Sequence, residues 1–244
     1  MASQIVALDK QKHKNTRVKS DDAYILTRDQ HLLPLQVHEF TAAALSYPIV
    51  FIKEAESNTF RSVAMMGLEP GENLFYTSTE WNSYIPLAAR TTPFALIPKQ
   101  NETDHFTVCI DMGSPLVNEL NGEKLFDEAG AESDYLIKKK NLMSTLVNHI
   151  PITASFINYL MQRELLSSIS LTINIDNDAR GSYSLNGIYA VDSQKLNELN
   201  DSAFIELRKR GYLPPIYAHL LSLGSISTLA QKKKIKNAAL KLDA

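Results

Sequence analysis

Ile169-Ser170-Leu171-Thr172-Ile173-Asn174-Ile175, followed by the polar run Asp176 to Gly181 and then by Tyr183, Leu185, Tyr189 and Val191, is the stretch that decides the fold. Apolar residues alternate with polar ones at period two on both sides of a turn-rich connection. Side chains alternate faces along a strand, so this pattern predicts two antiparallel strands with Ile169, Leu171, Ile173 and Ile175 facing a core. Working outward, Tyr47-Pro48-Ile49-Val50-Phe51-Ile52 predicts a buried strand entered through a proline. Ser62 to Met66, Asn73 to Thr77, Phe94 to Pro98 and Phe106 to Asp111 read as further strands, with a turn at Gly67-Leu68-Glu69-Pro70-Gly71 between the first two.

Helical patterning occupies the remainder. Short helices fit Glu39 to Ser46 and Tyr84 to Arg90. Asp134 is placed to cap a helix to Ile150, which Pro151 is expected to end before a second helix carrying Ile152, Phe156, Leu160 and Leu165. Asp201 is placed to cap a helix stopped by Gly211, and Pro214-Pro215 opens an apolar helix through Leu223. The expected fold is α+β, a mainly antiparallel mixed sheet with helices packed on it in a single domain. Residues 1–20 read as an N-terminal extension, 21–231 as the domain and 232–244 as a basic, solvated C-terminal tail.

Composition narrows the function classes. The 244 residues are 44% hydrophobic and 21% charged with a net charge of −2, which fits a globular chain and not a dedicated nucleic-acid binder. No apolar run reaches the roughly 20 residues that span a bilayer, and the Lys- and Arg-rich start lacks a signal-peptide core. The expected location is the cytoplasm. A protein partner or small ligand is expected, with no nucleic acid and no membrane insertion. Cys109, the lone cysteine, lies in an apolar strand and reads as a buried thiol.

Motifs that need fixed spacing are missing. There is no phosphate-binding glycine loop and no nucleophile elbow. The six histidines, His13, His31, His38, His105, His149 and His219, include no pair three or four apart, so no metal and no cofactor is expected. Asp176 to Gly181 imitates the start of a calcium loop, but Arg180 stands at its fifth position and Gly187 where a bidentate glutamate belongs, so it reads as a hairpin turn.

Ordered motif segments run along most of the chain. They include Tyr47-Pro48-Ile49-Val50-Phe51, Gly67-Leu68 with Pro70-Gly71-Glu72-Asn73-Leu74-Phe75, and Trp81 with Tyr84-Ile85-Pro86. Arg90 with Pro93-Phe94, Cys109-Ile110-Asp111, Gly187-Ile188-Tyr189 and Tyr217-Ala218-His219-Leu220-Leu221-Ser222-Leu223 continue the series. In this order they resemble the SapC family of surface-layer-associated bacterial proteins, from about Tyr24 to Leu229. The resemblance implies an accessory role near surface-layer or nutrient-uptake systems, since members tend to be encoded beside TonB-dependent receptors and flavin-dependent halogenase-like proteins. It implies no reaction. Lacking a signal peptide, this chain does not read as a layer subunit itself.

Two readings follow. In the first, the chain is a binding or accessory protein using Glu72, Trp81, Arg90, Asp111, Tyr217 and His219. In the second, Glu72, Arg90, Asp111 and His219 converge as an enzyme site, where carboxylate, imidazole and guanidinium groups could supply acid–base and anion-binding roles. His219 is either a hydrogen-bonded core residue or the polar member of a pocket. Asp111 is expected to serve a site.

Overall fold

The structure is a computed structural model that describes residues 3–20, 24–54, 56–77, 81, 83–99, 106–175 and 181–242. The calcium-like turn at 176–180 and His105 lie outside the described residues. In the first half of the chain the strands are β1 (Ile5–Ala7), β2 (Arg17–Val18), β3 (Leu32–Pro34), β4 (Ile49–Lys53) and β5 (Phe60–Met65). They continue as β6 (Phe94–Pro98), β7 (Phe106–Asp111), β8 (Val117–Asn118), β9 (Glu123–Lys124), β10 (Leu166–Asn174) and β11 (Ser182–Val191). The helices are α1 (Phe40–Ala43), α2 (Leu87–Thr91), α3 (Asp134–Gln162), α4 (Ser193–Asn197), α5 (Asp201–Lys209), α6 (Leu213–Ser222) and α7 (Ile226–Leu242).

Helices and antiparallel sheets together make the α+β class that the patterning predicts. The chain divides into two compact units, each discontinuous in sequence: Met1–Leu26 with Leu87–Asn148, and Thr27–Pro86 with His149–Ala244.

The first unit holds two three-stranded sheets, ordered β1-β7-β6 and β8-β2-β9. Segment 1–20, read from sequence as an extension, contributes a strand to each, with Ile5 opposite Asp111 and Arg17 opposite Asn118. Its core gathers Val18, Phe94, Ile110, Leu116, Leu125, Phe126, Leu136 and Met143. Gly122, at φ +105°, passes so close to β2 that a Cβ there would stand 2.2 Å from the Val18 carbonyl oxygen, so only glycine fits.

The second unit is built on one antiparallel sheet ordered β10-β11-β4-β5-β3. The predicted hairpin is present: Ile173 opposes Tyr183 and Leu171 opposes Leu185. The register then shifts between Ile169 and Leu171, where β11 carries an extra residue and Gly187 adopts φ +73°. This bulge reverses the inward phase of β11. Ile188, not Tyr189, shares a face with Ile169, and Ile188 and Ala190 are buried. Tyr189 turns to the other face and meets Phe60 edge-on at 4.8 Å.

Several boundaries differ from the sequence reading. Helix α3 continues past Pro151 to Gln162, although proline removes one helical hydrogen bond at a cost of about 3 kcal/mol. Its buried Leu136 and Met143 in the first unit, and Phe156 and Leu160 in the second, supply the packing that offsets this. Ser133, one residue before Asp134, caps it by accepting from the Leu136 N–H at 3.2 Å. Asn200, not Asp201, caps α5 by accepting from the Ala203 N–H at 2.9 Å. Residues 73–77 form no strand, because the Asn73 side chain folds the backbone back on itself, accepting from the Phe75 and Tyr76 N–H groups at 2.9 and 3.1 Å. The basic tail is also not simply solvated, since it is part of α7 and Lys233 is buried.

A candidate binding cleft on the second unit

The segment from Gly67 to Tyr76 folds into a closed turn for reasons visible in its residues. Pro70 and Gly71 make the reversal, with Gly71 at φ +88°. Gly67 is required where Glu72 folds back on it, because a Cβ at Gly67 would lie 2.6 Å from both the Cγ and the carbonyl oxygen of Glu72. The Leu74 N–H closes the turn on the Met66 carbonyl at 2.8 Å, and the Asn73 Nδ2 donates to the Thr27 carbonyl at 3.1 Å. Glu72 is thereby turned inward, its Oε1 accepting from the Leu68 N–H at 3.0 Å.

Helix α7 brings a lysine to this carboxylate. Lys233 Nζ donates to Glu72 Oε2 at 2.7 Å and to Glu69 Oε1 at 2.6 Å, and lies 5.1 Å from the Tyr183 ring centroid. The side chains of Lys233 and Glu72 are only 6% and 5% exposed, so this pair is an internal bolt and not a surface bridge. Burial works against the ammonium charge, but the hydrogen bonds it donates to Glu69 and Glu72 outweigh it and hold Lys233 above the usual lysine range.

Near this pair, between the turn and α7, opens a cleft of about 540 Å³, walled by Leu74, Tyr76 and Ile235 and edged by Arg28, Lys232 and Lys236. Asp29 pairs with Arg28 at 3.2 Å, and Lys236 leans to 3.5 Å from Glu72. Lys232 stands 4.7 Å from the Phe75 ring centroid, which holds its stem down on an aromatic face. The rim therefore carries three cations against one carboxylate, over a largely apolar wall. Such an arrangement can attract and orient an anion.

None of the residues expected to form a site lines this cleft; Glu72 comes nearest, standing between Gly71 and Asn73 of the lining and 3.5 Å from Lys236. His219 is buried elsewhere in the second unit. Its Nε2 accepts from the Val191 N–H at 2.9 Å and its Nδ1 donates to the Ile49 carbonyl at 2.9 Å. The β4–β11 register pairs Tyr189 with Phe51, so Val191 and Ile49 would meet two residues further on. The imidazole is spliced into the ladder at that point. Ser222 completes the splice by accepting from the Ile49 N–H at 2.9 Å. Burial pushes the His219 pKa down to about 4, against the opposing hydrogen bond to Ile49.

Trp81 Nε1 donates to the Tyr47 hydroxyl at 2.7 Å, which in turn donates to the Tyr84 carbonyl at 2.5 Å. The Tyr84 hydroxyl donates to the buried Glu39 at 2.8 Å. Burial pushes the Tyr47 phenol up to about 12, so it acts as a fixed donor. Tyr217 is 46% exposed on α6, one turn from Leu221.

Arg90 and Asp111 belong to the first unit. Asp111 accepts from Ser3 Oγ at 2.9 Å, the Gln4 N–H at 2.6 Å and the Gly113 N–H at 3.0 Å, which ties the start of the chain to the end of β7. Its slight burial raises its pKa, but these donors prevail and hold it below the usual carboxylate range. The carbonyl of Arg90, with that of Thr92, accepts from Lys139 Nζ at 2.6 and 3.1 Å. Burial, then the Arg90 charge, bring Lys139 down to about 8. Cys109 is buried, which pushes its thiol up.

Among the described residues no cluster of three or more His, Cys, Asp or Glu side chains could hold a metal ion. Among them, too, no helix is long and apolar enough to cross a membrane. Reading the sequence did not single out Arg28, Leu74, Tyr76, Lys232, Ile235 and Lys236, which line the cleft. The glycine-rich turn and the lysine run were each visible, but the signal joining them is the fold itself.

No curated protein and no solved structure matches the chain. The SapC family model matches residues 8–229, which includes the 67–76 turn, the inserted histidine and the beginning of α7. This chain belongs to the SapC family.

Proposed function

We propose that this chain is a cytoplasmic accessory protein that binds rather than catalyses, and that its ligand or partner occupies the cleft between the 67–76 turn and α7. The association of the family with surface layers and nutrient uptake sets the cellular context of this reading. One observation carries it: the strongly perturbed groups His219 and Lys233 are saturated by contacts within their own chain, whereas Lys232 and Lys236 line an open concavity. Perturbed groups in a cleft would suggest chemistry. Here the perturbation serves the scaffold and the cleft carries ordinary surface charge over apolar walls, the composition of a binding site.

The test is native mass spectrometry of the protein gently isolated from its host, beside a Lys232→Glu/Lys236→Glu variant. A bound species on the wild type that the variant lacks supports the reading. A species retained equally by both places binding elsewhere and refutes it.

A further inference from the structure

We propose that the cleft takes an amphipathic anion, a small molecule with an apolar body and a phosphate or carboxylate end; this rests on the cleft being the binding site. Its walls are Leu74, Tyr76 and Ile235, and Ile235 is 62% exposed, a β-branched apolar side chain left in water at the cleft edge. Its rim is Arg28, Lys232 and Lys236. The two features select against simpler ligands. An inorganic anion would satisfy the rim and leave the apolar wall wet. A neutral apolar molecule would cover the wall and strip water from lysine ammonium groups with nothing to replace it, which is unfavourable. A ligand carrying both parts gains on both sides.

The neighbouring ion pair bears on how Lys236 and Lys232 stand at the rim. Glu72 and Glu69 share Lys233 at 2.7 and 2.6 Å, while Lys236 reaches Glu72 only at 3.5 Å and has a side chain that is 45% exposed. Lys233 is thus a positioning residue that balances one of these two carboxylate charges, and Lys236, at the longer distance, can turn outward toward a guest. Lys232 is held over Phe75 at 4.7 Å, which fixes where its ammonium stands. A long polyanion fits less well, because the whole chain carries a net charge of −2 and the cations are gathered at one pocket.

Isothermal titration with 1-naphthyl phosphate, inorganic phosphate and 1-naphthol tests the inference on the full chain. The expected result is that 1-naphthyl phosphate binds at least about tenfold more tightly than either fragment, a ratio equal to about 1.4 kcal/mol. Its affinity should fall severalfold in Lys232→Ala and in Ile235→Ser, stay near wild type in Lys232→Arg, and weaken as salt rises. None of these positions forms the buried bolt, and unchanged melting curves confirm that the variants remain folded. Equal binding of inorganic phosphate, equal binding of 1-naphthol, no binding at all, or indifference to both substitutions overturns the proposal. If 1-naphthyl phosphate fails while the Lys232→Glu/Lys236→Glu variant still loses a species bound by the wild type, the ligand class is wrong and the cleft remains the site. If both fail, the cleft itself is refuted.

Discussion

Acidification should weaken this fold through His219, by an amount that can be worked out. The imidazole is fully buried, with both ring nitrogens engaged by backbone, and its pKa is pushed down to about 4 from the ordinary 6.5. The sign follows from proton counting. Below pH 6.5 the unfolded chain takes up a proton at this side chain and the folded chain does not until about pH 4, so stability falls as pH falls across that window. At 1.36 kcal/mol per pKa unit the loss between pH 6.5 and 4 is about 3 kcal/mol. His219→Ala removes the titrating group and leaves the Val191 N–H and the Ile49 carbonyl unpaired, which costs on the order of 2–5 kcal/mol at neutral pH. Urea denaturation of both proteins at half-unit steps from pH 7 to 4 measures the difference. The gap between them should be widest near pH 7 and narrow by about 3 kcal/mol by pH 4. A gap that stays constant across the range would refute the account of the histidine splice.

Other expectations follow from the same contacts. Glu72→Gln leaves Lys233 with a broken internal pair and should lower stability by about 3 kcal/mol, with Glu72→Gln/Lys233→Met recovering part of the loss; chemical denaturation of the three variants checks it. Asp111→Asn should cost only about 1 kcal/mol, since the carboxylate is near the surface, and hydrogen exchange should quicken around residues 3–7 with little change elsewhere. Lys139, brought down to about 8, binds a proton in the unfolded chain between about pH 8 and 10.5 that the folded chain has released, so stability should gain with pH over that range. Comparison of wild type with Lys139→Met isolates that slope, and identical slopes would contradict it. Gly122→Ala should be severely destabilising because of the 2.2 Å approach to Val18, and a near-wild-type melting temperature would show that β2 can move aside.

What could be read from the sequence depended on length and on locality. The β10–β11 hairpin was legible because each strand spans nine or ten residues, enough for period two to stand out. The bulge at Gly187 was not, since a one-residue register shift leaves the alternation intact on either side and only changes its phase. Strands of two or three residues, such as β1, β2, β8 and β9, are too short to carry any period. Pro151 was read as a helix end on a local rule that packing along α3 overrides. Caps slipped by one residue, from Asp134 to Ser133 and from Asp201 to Asn200, because each pair offers two side chains able to accept from a first-turn N–H. Tyr217 and His219, two residues apart on α6, are both binding candidates from sequence, with a core role open for His219; one is exposed and the other holds the sheet together. Glu72 is positioned by its own turn, but its partner Lys233 lies 161 positions away and no local pattern links them.

The cleft is tested most directly by hydrogen exchange of the wild-type protein in clarified host extract and in plain buffer, read by mass spectrometry beside the Lys232→Glu/Lys236→Glu variant. The account predicts slowed exchange in extract over residues 67–76 and 228–239 of the wild type, absent from the variant. Protection confined to other segments, equal protection in the variant, or none in either protein would contradict it.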